Sequence, residues 1–176
     1  MNYSLTTTEL IAKIPDLKVG DRILLSGIIY TARDAAHKKL ESLIKTNQPL
    51  PLDLKNSILY YCGPCPAKPG KVIGSCGPTT SSRMDSLTPL VLSKGVKATI
   101  GKGPRSKEVV EALKKYKALY LVATGGVGAL LAGKVKKCKI VAFEELGPEA
   151  IYELEIKEFP VVVGNDINGN DIFTKK

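Results

Sequence analysis

Short apolar runs of strand length alternate along this chain with segments whose apolar residues recur at helical spacing. The runs predicted to form buried strands are residues 22–30, 57–62, 118–123, 139–145 and 160–165. The segments with helical spacing are residues 33–45, 80–92, 106–116 and 127–135. Because strands and helices alternate, the pattern predicts an α/β protein.

The length and the loop signals predict one domain over residues 1–176. Two Pro-rich stretches, residues 47–56 and 63–71, are typical of loops, and no repeat or charge block divides the chain. A chain of 176 residues lies in the range of roughly 100–200 residues in which one domain buries its own core.

The apolar runs are too short to cross a membrane, which takes about 18 residues, and the N-terminal segment has neither a basic start nor a continuous apolar stretch. We therefore expect a cytoplasmic protein that neither spans a membrane nor is secreted. In that compartment the four cysteines are expected to be free thiols or ligands rather than a disulfide framework.

The formal net charge of +9 implies an acidic counterpart, which could be nucleic acid, an acidic protein subunit or a small polyanion. Proteins that bind single-stranded nucleic acid usually place aromatic side chains among the basic ones. Here only 6% of residues are aromatic and none is Trp, so the composition disfavours RNA. A basic RNA-binding module is kept as an alternative of a different class.

The segment GSCGPTTSSRMD, residues 74–85, predicts a helix start that contains an arginine. A helix beginning at the two threonines would place Arg83 in its first turn, where unpaired backbone N–H groups are already partly positive. Asp or Glu is usual in that turn. We therefore expect a negatively charged ligand to supply the missing charge.

Two further helix starts carry a cation. Thr31 is at an N-cap position, with Arg33 just inside the predicted helix and Asp34 at the capping-box offset. Lys102 lies between two glycines in a loop leading to a helix capped by Ser106. If the fold brings the three starts together, they form an anion pocket, and paired arginines suit carboxylates.

These motifs resemble a known family. The segments YTARDAAHKKL and GPTTSSRMD, with GPCPAKPGKVIGS before the second and IGKG after it, are similar to the beta region of the class I, iron–sulfur fumarate hydratases and the related L(+)-tartrate dehydratases. The similarity runs from about residue 19 to residue 173. It covers only half of that family's enzyme.

The resemblance implies a swivelling β/β/α three-layer fold and a [4Fe-4S] cluster held by a separate alpha subunit. This chain would be the beta subunit of a two-subunit hydro-lyase, in a dimer or heterotetramer, active only with alpha. The expected reaction interconverts fumarate and (S)-malate, and the alternative is L(+)-tartrate dehydration. The expected partners are the alpha subunit and a small dicarboxylate, with no nucleic acid and no membrane.

By the same resemblance, the substrate-binding residues are Arg33, Thr79, Arg83 and Lys102. Thr79 would lie near the proton that moves, either as the catalytic base or as a group that positions the substrate. From the residues alone, Thr79 is equally an ordinary N-cap, and the two arginines and Lys102 could be solvated surface residues.

His37, the single histidine, lies four residues after Arg33, where an acid–base role competes with a structural one. Cys62, Cys65 and Cys76 have a spacing that resembles a metal or redox motif, and they are expected to be incidental because a fourth ligand is missing.

The segment GALLAGKV, residues 128–135, departs from the phosphate-binding loop because Val135 replaces the hydroxyl residue. We predict instead that the preceding glycines begin a helix packed closely on the sheet. The lysine clusters at residues 114–117 and 134–139 are either a solvated basic face or a surface for an acidic alpha subunit.

Overall fold

A computed structural model describes residues 1–174 and confirms the α/β class. Over these residues one sheet contains seven strands in the order β1-β2-β3-β4-β5-β7-β6. The strands are β1 (Asn2–Thr6), β2 (Arg22–Thr31), β3 (Ile58–Tyr60), β4 (Ala98–Gly101), β5 (Leu119–Val122), β6 (Val135–Ala142) and β7 (Ile151–Asn165).

Helices connect these strands. They are α1 (Thr7–Lys13), α2 (Asp34–Lys45), α3 (Thr88–Ser93), α4 (Lys107–Tyr116) and α5 (Gly128–Ala132), with 3-10 segments at Ser81–Met84 and Glu144–Glu149. None of the helices in the described part of the chain has the length and apolar character needed to cross a membrane.

The sheet closes on itself. Strands β2, β3, β4 and β5 are parallel neighbours, and the long strand β7 pairs antiparallel with both β5 and β2. Five strands therefore form a closed, barrel-like ring, to which β1 adds beside β2 and β6 beside β7. The swivelling three-layer arrangement stays a prediction.

Alternate residues of a strand enter two separate cores, as the two-residue period of a strand requires. In β5, for example, Leu119 and Leu121 join a core that includes Leu10 of α1, whereas Tyr120 joins a second core. The second core packs the sheet against α2, α3 and α4 through residues such as Leu40, Val91 and Leu113.

Several predicted elements differ in the structure. The helix predicted over residues 80–92 is split, because Pro89 has no N–H to donate to the carbonyl four residues earlier and α3 begins anew at Thr88. Val135 begins β6 rather than ending a helix, and β6 ends early because Phe143 adopts a left-handed conformation with φ 56°. The strand predicted at residues 160–165 is the second half of β7.

The structure contains three short elements that the apolar pattern did not predict, namely β1, α1 and β4. Helix α1 nevertheless has a complete capping box between Thr6 and Glu9. Helix α4 begins as predicted, since the hydroxyl of Ser106 accepts a hydrogen bond from the N–H of Val109.

Because β2, β3, β4 and β5 are parallel, their carboxyl ends meet at one edge of the sheet. Sheets of parallel strands, whether open or closed into a barrel, bind ligands outside such an edge. The segments that leave these ends begin at Ala32, Tyr61, Lys102 and Ala123. Three of the four predicted site residues lie in these segments, namely Arg33, Thr79 and Lys102.

A buried arginine fixes the geometry below this edge. The side chain of Arg105 is 0% exposed, and its Nε donates to Asp85 Oδ1 over 2.8 Å. Its Nη2 donates to the hydroxyl of Thr88 over 2.7 Å, and the guanidinium stacks on the rings of Tyr61 and Tyr120. Burial by itself lowers the pKa of Arg105, but Tyr61 and Asp85 outweigh it and the net shift is upward, so the group stays charged.

The carboxylate of Asp85 also connects three parts of the fold. Asp85 Oδ2 accepts a hydrogen bond of 2.7 Å from the backbone N–H of Ser106, next to the start of α4. Asp85 itself directly follows the segment Ser81–Met84, and Arg105 contacts Tyr61 at the end of β3. One ion pair therefore ties the turn that carries Arg83 to β3 and α4.

Replacing Asp85 with Asn should lower the free energy of unfolding by about 3 kcal/mol, because it leaves the Arg105 charge buried without its partner. Urea unfolding of the purified chain measures the change. Glu111→Gln is the matched control, since it removes an exposed carboxylate that contacts Lys114 over 3.0 Å and should change stability little. Equal effects of the two substitutions would contradict the assigned role of the pair.

Candidate functional site

Thr79 and Lys102 lie in neighbouring loops at the carboxyl edge of the sheet. The N–H of Thr79 donates to the carbonyl of Tyr61 over 2.6 Å, and the N–H of Lys102 donates to the carbonyl of Thr79 over 3.3 Å. A parallel bridge joins Thr80 to Lys102. The loop that carries Thr79 is therefore inserted between the ends of β3 and β4.

The side chain of Lys102 extends toward the loop after β5. A Cβ added to Gly125 would lie 3.3 Å from Lys102 Cδ and 3.8 Å from its Nζ. Gly125 thus leaves room for the lysine to cross this edge.

Arg33 follows β2 and is the N-cap of α2, with φ −112° and ψ −161°. The prediction that Thr31 caps this helix, with Arg33 inside it, is wrong. Thr31 is the last residue of β2, and its hydroxyl is occupied, donating to the carbonyl of Ala150 and accepting from the N–H of Tyr152. A hydroxyl used between two strands cannot reach the N–H groups of α2.

The N-terminus of α2 is capped from a distant part of the chain instead. Glu149 Oε2 accepts a hydrogen bond of 2.8 Å from the N–H of Ala35, and Glu149 Oε1 lies 3.4 Å from Arg33 Nη2. A Cβ added to Gly63 would lie 3.1 Å from Arg33 Nη1, so the guanidinium packs against the segment that follows β3.

Arg83 is in the short 3-10 segment Ser81–Met84, not in the first turn of a long helix as predicted. Thr80, the N-cap, makes no side-chain capping bond. Arg83 Nε donates to Asp34 Oδ1 over 2.9 Å, and Arg33 Nε lies 3.5 Å from Asp34 Oδ2. The two predicted arginines therefore lie together, on either side of one carboxylate.

This arrangement corrects the expectation that the chain lacks a negative group for Arg83. Asp34 supplies that charge from α2, although the two residues are 49 positions apart in the chain. Burial raises the pKa of Asp34, but its own backbone N–H, Arg83 and Arg33 outweigh that effect and lower it. Asp34 is thus a carboxylate at neutral pH.

His37 is fully buried beside this cluster. Its ring Nδ1 donates to the carbonyl of Arg33 over 3.0 Å, and its ring meets that of Tyr61 edge-on with centroids 5.5 Å apart. Burial is the main cause that lowers the pKa of His37 to about 4, and the nearby charge of Arg105 adds to it. The burial favours the structural alternative, in which a neutral ring supports the backbone of Arg33.

Two of the cysteines lie together in the core and a third is at the surface. Cys62 and Cys76 are buried with their sulfur atoms 3.0 Å apart, whereas Cys65 is exposed. The hydrogen bond with Cys76 and burial raise the pKa of the Cys62 thiol. Among residues 1–174 no three or more His, Cys, Asp or Glu side chains are grouped to hold a metal ion.

Close packing explains the glycine-rich segment that resembles a phosphate loop. A Cβ on Gly128 would lie 3.0 Å from the backbone N of Gly77 and would also collide with the hydroxyl of Ser75. The N–H of Cys76 donates to the carbonyl of Gly128 over 3.1 Å. The close approach of Gly128 is therefore to the loop that leads to Thr79, not to a strand of the sheet as the sequence predicted.

Part of the basic face is neutralised across the sheet. Lys137 and Lys139 of β6 pair with Glu155 and Glu153 of β7 over 2.8 and 2.9 Å. This pairing removes two of the charges that an RNA-binding module would use, because phosphate contacts depend on unpaired cations.

Because His37 is the single histidine, its titration can be followed without ambiguity by NMR. Its ring resonances should stay those of the neutral form down to pH 5 and move near pH 4. The unfolded chain takes up this proton near pH 6.5, so His37 should make stability fall as pH drops from about 6.5 toward 4. An apparent pKa near 6.5 in the folded chain would show that the ring is not buried.

Comparison with known proteins identifies a family and several relatives of this chain. The family model described as "Fumarase C-terminus" matches residues 2–176. Fumarate hydratase 2 of Leishmania major is 42% identical over 159 residues, which are 89% of this chain and 28% of the relative.

Two smaller relatives match over most of both chains. The putative L(+)-tartrate dehydratase subunit beta of Methanocaldococcus jannaschii is 44% identical over 91% of this chain and 85% of its own length. The L(+)-tartrate dehydratase subunit beta of Escherichia coli K12 is 35% identical over 99% and 88%. The chain thus spans less than a third of the Leishmania fumarate hydratase and most of each beta subunit. With residues 2–176 matched by the family model, this chain belongs to the fumarase C-terminus family.

Proposed function

We propose that this chain is the beta subunit of a two-subunit [4Fe-4S] hydro-lyase that interconverts fumarate and (S)-malate. It supplies the cationic part of a substrate site shared with an alpha subunit that holds the cluster. The observation that carries this proposal is the convergence of Arg33 and Arg83 around Asp34 at the carboxyl edge of the sheet. Thr79 and Lys102 are joined in the adjacent loops.

The proposed chemistry follows from the charges. Fumarate and malate are dianions, and two guanidinium groups with one ammonium group suit a carboxylate through bidentate and point-charge contacts. Moving a proton at the carbon beside a carboxylate builds negative charge on that carboxylate in the transition state. Cations already fixed in place stabilise this charge without reorganising.

For Thr79 the proposed role is to position the substrate. Its N–H is held by Tyr61, and it precedes a 3-10 segment of only four residues. Such a segment gives weak dipolar support for a threonine alkoxide, because the macrodipole needs a run of aligned peptides. The geometry therefore favours an oriented hydroxyl over a base.

A specific observation favours the second candidate, the beta subunit of an L(+)-tartrate dehydratase. This chain covers 85% and 88% of the two relatives that carry that name. The fumarate hydratase of Leishmania is a longer protein, of which the chain covers 28%. The two candidates share the same cations and differ in one hydroxyl group of the substrate.

We also propose that residues 1–176 form one domain with the swivelling three-layer fold, acting in the cytoplasm as a dimer or heterotetramer with alpha. The match of the family model to residues 2–176 supports a single unit. The free cysteines suit a reducing compartment.

Co-expression with a candidate alpha chain, followed by assays on fumarate, (S)-malate and L(+)-tartrate, tests the proposed function. We expect hydro-lyase activity on fumarate only when both chains are present. Activity confined to tartrate would select the second candidate. A complex inactive on all three substrates, or full activity of this chain alone, would refute the proposal.

Arg83→Ala in the reconstituted enzyme should lower turnover by about 10²–10³-fold, because it removes a fixed cation that stabilises transition-state charge. The side chain of Arg83 is 52% exposed, so the fold should persist. Arg22→Ala is the control, since Arg22 is exposed at the amino end of β2, away from the carboxyl edge. Steady-state kinetics with circular dichroism measures both effects, and near-normal activity of Arg83→Ala would exclude the role.

A further inference from the structure

We propose that Asp34 is a positioning residue that holds the guanidinium groups of Arg33 and Arg83 aimed at one substrate carboxylate. This inference rests on the proposed function and adds to it a residue that touches the arginines rather than the substrate. Neither the motif resemblance nor the cation pattern assigns this role to Asp34.

The contacts leave Arg83 in particular able to bind a ligand. Arg83 reaches Asp34 through Nε, and among residues 1–174 its two terminal nitrogens make no hydrogen bond or ion pair. Those terminal nitrogens form the fork that binds a carboxylate in bidentate fashion. Arg33 Nε lies 3.5 Å from Asp34 Oδ2, an ion pair without a hydrogen bond, and Arg33 Nη2 faces Glu149 at 3.4 Å. Asp34 therefore orients the guanidinium of Arg83 through a hydrogen bond and attracts that of Arg33 through its charge.

The negative charge of Asp34 is a second reason to assign it this positioning role. Two guanidinium groups at one site repel each other, and the repulsion is strong where water is partly excluded. The Asp34 carboxylate, 24% exposed, lies between the two Nε atoms and offsets one of the charges. It thus allows the two cations to stay close before a substrate arrives.

Asp34 is itself held rigidly. It is the first residue of α2, a helix of 12 residues, where a carboxylate is favourable. The next residue, Ala35, donates its N–H to Glu149, and the carbonyl of Arg33 accepts from both the backbone N–H and the ring of His37. The backbone on either side of Asp34 is therefore fixed by Glu149 from outside the helix and by His37 within its first turn.

A stability role is the weaker explanation for this ion pair. Arg83 is half exposed, and partly exposed pairs of this kind contribute little to folding.

Competition is the other alternative, in which Asp34 occupies the arginines and must be displaced by substrate. The two ideas predict opposite changes in KM when the charge is removed.

The test is Asp34→Asn in the complex reconstituted with the alpha chain, with KM and kcat measured for the dicarboxylate. Positioning predicts that KM rises about tenfold or more, because loosely held cations no longer match the substrate. Since both cations remain, kcat should change less. Asp34→Glu keeps a carboxylate and should restore part of the affinity, while the melting temperature stays near that of the wild type.

Glu41→Gln is the matched control, an acid-to-amide change on the same helix that removes the ion pair between a half-buried Glu41 and the exposed Lys45. An unchanged or lower KM in Asp34→Asn would overturn the proposal, and a lower KM would indicate competition. Equal losses in Asp34→Asn and Asp34→Glu would also overturn it, because the carboxylate would then not be what matters.

Failure of the proposed function can be told apart from failure of this inference. If the wild-type complex acts on neither fumarate nor tartrate, the chain alone is titrated with fumarate while the Nε–H resonance of Arg83 is followed by NMR. Weaker fumarate binding in Asp34→Asn than in Glu41→Gln supports positioning. The same affinity in both variants, or an Arg83 resonance that is insensitive to Asp34→Asn, overturns it.

Discussion

The geometry of the carboxyl edge depends on one buried ion pair, between Arg105 and Asp85. A guanidinium with no exposed surface is costly unless its charge is compensated and its N–H groups are bonded. Asp85, two threonine hydroxyls and two tyrosine rings meet this requirement together. Because these partners come from β3, β4, β5 and the loops between them, the charge can be satisfied only when the strands are in register. The turn that carries Arg83 is fixed as a consequence.

At the carboxyl edge, next to this pair, carboxylates partly neutralise the arginines, which are therefore not unpaired cations. Asp34 lies between Arg33 and Arg83, and Glu149 both contacts Arg33 and caps α2. His37 supports the same backbone as a neutral ring because burial disfavours its charged form. Such a site keeps like charges together at low cost and leaves the terminal nitrogens of Arg83 for a ligand. The acidic residues are therefore as much a part of the site as the basic ones.

Local pattern was a good guide where one element decided its own structure. The alternation of apolar runs predicted β2, β3 and β5 and the helices α2 and α4, and the Ser106 cap is present as expected. Motif resemblance selected Arg33, Thr79, Arg83 and Lys102, and the fold brings Arg33 close to Arg83 and Thr79 close to Lys102. The Thr31 cap and the long helix at residues 80–92 were wrong. Contacts with Ala150 and Tyr152 occupy the hydroxyl of Thr31, so it does not cap α2. Pro89 interrupts the long helix that the spacing favoured.

The amino-acid order alone was enough to specify the α/β class, most of the elements and the family motifs, since these depend on periodicity and short spacings. The pairing of charges was set only by the folded chain. Asp34 meets Arg83 across 49 positions, and Glu149 meets Ala35 across 114. Contacts over such separations leave no local signal, because any acidic residue near the right strand end could serve. The physical reason is that closure of the five-strand ring, not neighbouring sequence, determines which carboxylate reaches which arginine.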